Sequence, residues 1–268
     1  MYAATLAVIA DWVRALNLPA ALLQPRSADT HETPLNVRMV RTALRARAVI
    51  GVGGGLEGYL PALERALKGK TPIRTLIDTL YPALEPTHAP PHHTHPTRDL
   101  HIWLNLPLAR RSCELILDWA ARDGLQGVAQ RQAWRRTQVL FRQLELQMRE
   151  ARRALQGKAY IAVHDAYRPL TQQLGMRSLG SLQPDHERPP NLQAFRATIA
   201  QAREEGVAMV LADAGSSLGA AAARLLRVPL VVADTLEMPD PTRDYFARMA
   251  TLIESLQRAA APQSAAGR

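Results

Sequence analysis

The sequence predicts an α/β protein of two lobes, each a parallel sheet flanked by helices, joined by a single long spine helix, with a ligand site in the interlobe cleft. Three observations predict it. The chain has 268 residues, longer than a single core of typical size, so two lobes of roughly 100–150 residues are expected, and two lobes imply a cleft. Short apolar runs alternate with amphipathic stretches, as in parallel α/β sheets. One long amphipathic pattern stands between the first two of these runs and the last three.

In order along the chain, Thr5 to Leu16 reads as the first helix. Ala48 to Val52 and Ile73 to Ile77 read as buried parallel strands of an N-terminal lobe, residues 1–125. Within 126–157, Trp134, Phe141, Leu144, Met148, Ala151 and Leu155 recur at three- and four-residue steps, the signature of one helix with a single apolar face. Taken from Arg131 to Gln156, such a helix is about 39 Å long and can join two lobes. Gly157 and Lys158 end it. Its seven arginines, set against Glu145 and Glu150, are read as a solvated face with no assigned function. Tyr160 to Val163, Ala208 to Ala212 and Pro229 to Ala233 are the strands of a C-terminal lobe, residues 158–268.

Composition excludes several classes. Hydrophobic residues make up 47% and charged residues 21% of the chain, which fits neither a disordered nor a membrane-embedded body. No apolar run approaches the roughly 18–20 residues that span a bilayer. Met1 to Ala10 is mildly apolar but has no basic leader, and Asp11 and Arg14 follow before any small-residue cleavage site. The chain therefore reads as cytosolic, or as starting downstream of a signal peptide. Cys113 is the single cysteine, so an internal disulfide and a multi-thiolate metal site are both excluded, leaving histidine and carboxylate as metal donors. The net charge of +9 comes with arginines spread through helical segments and almost no interleaved aromatics, which argues against nucleic acid.

Two constellations compete as the functional site. Gly53-Gly54-Gly55-Leu56-Glu57-Gly58 fits G-x-G-x-x-G after a strand, with Asp78 twenty residues beyond Gly58 at the end of the next strand, as a dinucleotide site requires. Against this, the following helix is read as beginning with Glu57, whose carboxylate lies where a pyrophosphate would sit. The second set is His31, His101 and His164, each at or beside the end of an apolar stretch, together with Asp234 at the end of the Pro229 to Ala233 strand. Ligands gather outside the carboxyl ends of parallel strands, and three imidazoles with one carboxylate suit tetrahedral Zn²⁺. Separately, Leu84 to Arg98 interleaves four prolines with His88, His92, His93 and His95; it is read as an exposed loop with auxiliary, weak metal-binding capacity.

Several stretches resemble one family, the cluster A-I solute-binding proteins of zinc and manganese ABC importers (ZnuA-like). His31-Glu32-Thr33-Pro34-Leu35 resembles its first-ligand segment, Leu100-His101-Ile102-Trp103-Leu104 its H-x-W-L second-ligand motif, and Val163-His164-Asp165-Ala166-Tyr167 its F-H-D-A-Y third. Val52 to Glu57 is similar to the family's V-G-x-x-x-E, which accounts for the glycines without a nucleotide. Asp234-Thr235-Leu236 aligns with the stretch that carries a fourth ligand in some members. The resemblance covers nearly the whole chain. Departures are Leu211-Ala212-Asp213-Ala214-Gly215 in place of F-A-E-P-Q, the missing proline before His31, and an N-terminus that reads as lacking the export signal and the first strand.

The resemblance implies a monomeric, non-enzymatic, periplasmic or extracytoplasmic receptor that captures Zn²⁺ with His31, His101, His164 and Asp234 and delivers it to the ABC permease of a zinc importer. Histidine at 164, where manganese members tend to carry glutamate, implies zinc over Mn²⁺. A manganese-selective relative, an exported metal buffer, a zinc-dependent hydrolase and a dinucleotide enzyme using Gly53 to Gly58 stand as the alternatives.

Overall fold

A computed structural model describes residues 1–25, 33–81, 99–164, 166–183 and 191–261. The chain divides into two compact units, one of Met1–Phe141 with Leu236–Tyr245, the other of Arg142–Thr235 with Phe246–Arg268.

The first unit runs β1 (Tyr2–Ala4), α1 (Ala7–Ala15), β2 (Ala20–Leu22), α2 (Val37–Leu44), β3 (Val49–Gly51), α3 (Leu60–Leu67), β4 (Ile73–Thr75), α4 (Leu76–Leu80), a 3₁₀ turn at Ile102–Leu104 and α5 (Leu106–Arg122). Its four strands are parallel in the order β2-β1-β3-β4. α6 (Val128–Leu155) follows, and the division between the units falls within it. The second unit continues with β5 (Ala159–Ala162), α7 (Arg168–Gln173), β6 (Arg177–Ser181), α8 (Leu192–Glu204), β7 (Met209–Ala212), α9 (Ser217–Leu226), β8 (Leu230–Val232) and α10 (Tyr245–Ala260), whose first residue belongs to the first unit. Its parallel sheet has the order β6-β5-β7-β8, the same winding as the first. In each sheet the winding reverses beside the first strand, and the switch points lie between β1 and β3 and between β5 and β7.

The strands read from apolar runs stand where the sequence puts them, with ends that differ by one or two residues. One expectation is overturned: the first strand is present. Tyr2–Ala4 is buried on both faces and pairs with β2 on one side and β3 on the other, through Tyr2 with Ala20 and Ala3 with Val49. Met-Tyr-Ala-Ala carries neither alternation nor β-branched residues, so only pairing on both edges selects the extended state over the helix that begins at Ala7.

Local chemistry starts and stops the helices. The carboxamide oxygens of Asn36, Asn105 and Asn191 accept from Met39, Leu108 and from Gln193 and Ala194, and the Ser216 hydroxyl accepts from Gly219, so α2, α5, α8 and α9 begin on side-chain caps. α6 ends ahead of Gly157, whose φ of 77° suits glycine. In the first unit Ala3, Val49, Met39, Leu60, Leu63 and Leu67 form a core between sheet and helices. In the second, Ile161, Val163, Val210, Ile199, Ala202 and Ala222 do the same.

The segment Leu236–Tyr245 ties into the first unit through its last residue. The Tyr245 hydroxyl donates to the Trp103 carbonyl at 2.7 Å, and its ring meets Trp12 edge-on at 5.2 Å. All three side chains are fully buried.

Candidate metal centre

In the first unit the site is built on the 3₁₀ turn. His101 immediately precedes Ile102–Leu104, and three fully buried apolar residues anchor it: Trp103, Leu104 and Ile102. Asp99 Oδ1 accepts from the His101 backbone N–H at 3.0 Å and meets Nδ1 at 2.7 Å, which fixes the ring relative to its own backbone. The ring edge packs on Trp103, with centroids 5.1 Å apart. Nε2 is turned toward Glu237, whose Oε1 lies 3.5 Å away. Burial pushes the imidazole pKa down, but the hydrogen bond to Asp99 and the Glu237 carboxylate beside Nε2 outweigh it and lift the value to about 9. A histidine braced by carboxylate on Nδ1 and presenting Nε2 to an anion has the arrangement of a metal-ligating imidazole with its orienting partner.

Glu237 is absent from the sequence-derived set. It lies in the returning segment Leu236–Tyr245, and the Tyr245 anchor described above holds that segment against the 3₁₀ turn. Its only sequence signal is a carboxylate three residues past Asp234.

In the second unit His164 lies two residues beyond β5, at the carboxyl edge beside the switch point, and is half-buried. Tyr167 braces this edge: its hydroxyl donates to Asp213 at 3.1 Å, past the end of β7, and to the Ala233 carbonyl at 3.0 Å, past the end of β8. Asp234 is next in the chain, and both its oxygens are held by Arg248 at 2.7 Å. Arg248 is 3% exposed, so this is a bidentate pair with its cation buried. Asp213, in the stretch that departs from the family pattern, thus has a defined partner in Tyr167.

His31, His88, His92, His93 and His95 lie outside the described residues. Among the described residues, no three His, Cys, Asp or Glu side chains are grouped closely enough to hold a metal ion.

The glycine turn has a structural explanation. The helix expected to begin at Glu57 begins at Leu60, and Glu57 instead folds back, 1% exposed, under the turn. Its Oε1 accepts from the Val52 N–H at 2.7 Å and the Thr5 hydroxyl at 2.6 Å, and its Oε2 from the Gly53 N–H at 3.0 Å. Burial raises the carboxyl pKa while these three bonds oppose the rise. The amides a pyrophosphate would use are therefore already occupied by a carboxylate. Gly53 has φ of 81°, and a Cβ there would lie 2.6 Å from Thr75 Cβ, so glycine is required by backbone conformation and close packing. Asp78, expected at a strand end, stands within α4 and accepts from the Thr75 hydroxyl.

The fold is that of metal-binding solute receptors. Solved structures that share it include the laminin-binding adhesin Lmb of Streptococcus agalactiae, with a TM-score of 0.80 at 14% identity over 97% of this chain and 99% of that one. The periplasmic zinc-binding protein TroA of Treponema pallidum gives 0.77 at 14% identity, over 97% and 98%. FpvC of Pseudomonas aeruginosa, solved in complex with Mn²⁺, gives 0.78 at 16% identity, over 97% of each.

The particular family follows from sequence. The family model of ZnuA, the periplasmic component A of the zinc-uptake complex, matches residues 3–259, and the chain belongs to that family. The high-affinity zinc uptake system protein ZnuA of Yersinia pestis is 27% identical over 77% of this chain and 71% of its own length. Members of the family are solute-binding receptors of ABC importers, not enzymes, which removes the hydrolase and dinucleotide-enzyme readings.

Proposed function

We propose that this chain is a zinc receptor, capturing Zn²⁺ outside the cytoplasm as a monomer and handing it to the permease of an ABC importer. The observation that carries the reading is His101, buried, oriented by Asp99 through Nδ1 and facing a carboxylate with Nε2. His31, His101 and His164 supply three nitrogens, and histidine at 164 favours zinc over the harder Mn²⁺. The fourth donor is a carboxylate of the 234–237 segment. Asp234 is the residue the family pattern designates, and its two oxygens are engaged by Arg248. Glu237 already faces Nε2 of His101, and this geometry supports Glu237 as the donor. His88, His92, His93 and His95 gather metal for the main site as weak, exchangeable ligands.

The test is a Zn²⁺ titration of chelator-stripped protein against a competing chelator, comparing wild type with a His31→Ala/His101→Ala/His164→Ala variant that keeps the loop histidines. One tight equivalent, lost in the variant while weak sites remain, is expected. Equal and weak binding by both proteins would refute the reading.

A further inference from the structure

The one surface motif left without a role is the arginine stripe of α6. Projected at 100° per residue, the buried residues Ala133, Thr137, Phe141, Leu144, Met148, Ala151 and Leu155 fall on one side of the helix. The opposite sector, about 80° wide, contains only Arg131, Arg135, Arg142, Arg149, Arg153, Val128, Val139 and Leu146.

The five arginines are exposed and follow a nearly straight line about 33 Å long. The three aliphatic residues flank that line on one side and are 61%, 44% and 56% exposed for Val128, Val139 and Leu146. Glu145 and Glu150 both lie outside the sector, and no acidic residue of α6 lies within it. Within the sector cations run beside exposed valine and leucine, with Gln138 at one border and Gln132 and Glu150 at the other.

We propose that this face of α6 docks the protein, reversibly, on an anionic phospholipid surface. Guanidinium groups form bidentate bonds with phosphate oxygens. The aliphatic flank enters the headgroup boundary, as on helices that lie in the plane of a membrane. That flank separates lipid from nucleic acid, whose backbone offers nothing for exposed valine and leucine to enter. Three aliphatics are too few for stable insertion, so contact is electrostatic in the main and released by salt. A receptor that serves a membrane importer gains from searching along the bilayer surface instead of through the surrounding volume. The inference is independent of which residues bind the metal.

The test is co-sedimentation of the full chain with vesicles of phosphatidylcholine, with and without about one-third phosphatidylglycerol. Each arginine near such a surface strengthens partitioning about five-fold, so three engaged arginines give about 100-fold. A variant with Arg131, Arg135, Arg142, Arg149 and Arg153 all changed to Gln, which preserves helix propensity, is expected to lose that much. A control with the exposed Arg41, Arg45, Arg65, Arg196 and Arg258 changed to Gln has the same net charge and is expected to lose less than a tenth as much. Val139→Ser/Leu146→Ser is expected to weaken binding several-fold while leaving its salt dependence unchanged. Equal loss in the two arginine variants would mean that net charge alone acts, and would overturn the proposal. So would absence of wild-type binding to the anionic vesicles, or tighter binding to a duplex DNA probe through the same five residues.

Discussion

Removing Asp99 tests whether His101 is a braced metal ligand. One oxygen, Asp99 Oδ1, accepts from the His101 backbone N–H at 3.0 Å and meets Nδ1 at 2.7 Å. Asp99→Ala takes away both, leaving the ring free to rotate about its edge contact with Trp103 and removing the anion that makes Nε2 a stronger donor. Loss of such an orienting partner weakens metal affinity about 10–100-fold, or about 1.4–2.7 kcal/mol. Asp99→Asn keeps an oxygen at the same place, so orientation survives and only the charge is lost; less than about 10-fold is expected there. The assay is Zn²⁺ competition against a chelator at fixed pH, with a thermal melt of the metal-free proteins to show that folding is intact. A Kd for Asp99→Ala within about two-fold of wild type would refute the argument, as would equal losses in the alanine and asparagine variants.

The remaining predictions concern stability and the division of labour between the two carboxylates. Asp234→Ala strands a guanidinium that is 3% exposed and should cost about 3 kcal/mol in the metal-free protein by chemical denaturation. Glu237→Ala should leave that stability nearly unchanged and weaken Zn²⁺ in the competition assay. Gly53→Ala forces a Cβ to 2.6 Å from Thr75 Cβ at a φ of 81°, which should cost about 3 kcal/mol and lower the Tm by roughly 6–12 °C. Asp123 accepts two bonds from Arg74 and one from Tyr2, and these bonds, chiefly Arg74's, hold its carboxyl below the usual range against the cost of burial. Asp123→Asn should cost about 1–2 kcal/mol at neutral pH, allowing for solvent screening. A depressed folded-state pKa contributes fully above the unfolded value, so the gap between the two proteins should hold down to about pH 4 and close below it, as Asp123 takes up its proton. A gap that widens on acidification would contradict the assignment.

The parts of the fold legible in sequence are those where burial dictates composition. Val49–Gly51, Ala159–Ala162 and Met209–Ala212 are covered on both faces and read as apolar runs. Arg177–Ser181 does not read so, because it is the edge strand β6 with an exposed Arg177 and Gly180 at φ of 116°. Tyr2–Ala4 hid for the opposite reason: its partners on both sides, and not its own residues, make it a strand. At the candidate site, His101 stood out as a histidine at an apolar stretch, in a segment that resembles H-x-W-L. Glu237 did not, since what brings it to His101 is an aromatic tie eight residues further on, between Tyr245 and Trp103. The Arg248 clamp on Asp234 was equally illegible, being a pairing across fourteen residues of chain between a loop and a helix. Glu57 was half legible: its charge argued against a phosphate, but its burial under the turn needed the backbone.

Tyr245 also sets the order in which the molecule can be completed. Its ring and hydroxyl close the first unit, yet it lies 233 residues after Trp12 in the chain. During synthesis the first sheet and its helices emerge early and wait, with the Trp12 surface uncovered, until most of the second unit has been made. Unit one begins first, yet its last residue follows most of unit two in the chain. A fragment cut anywhere before Tyr245 therefore exposes an aromatic seat, and adding a peptide spanning Leu236–Tyr245 to such a fragment should restore its cooperativity in a thermal melt.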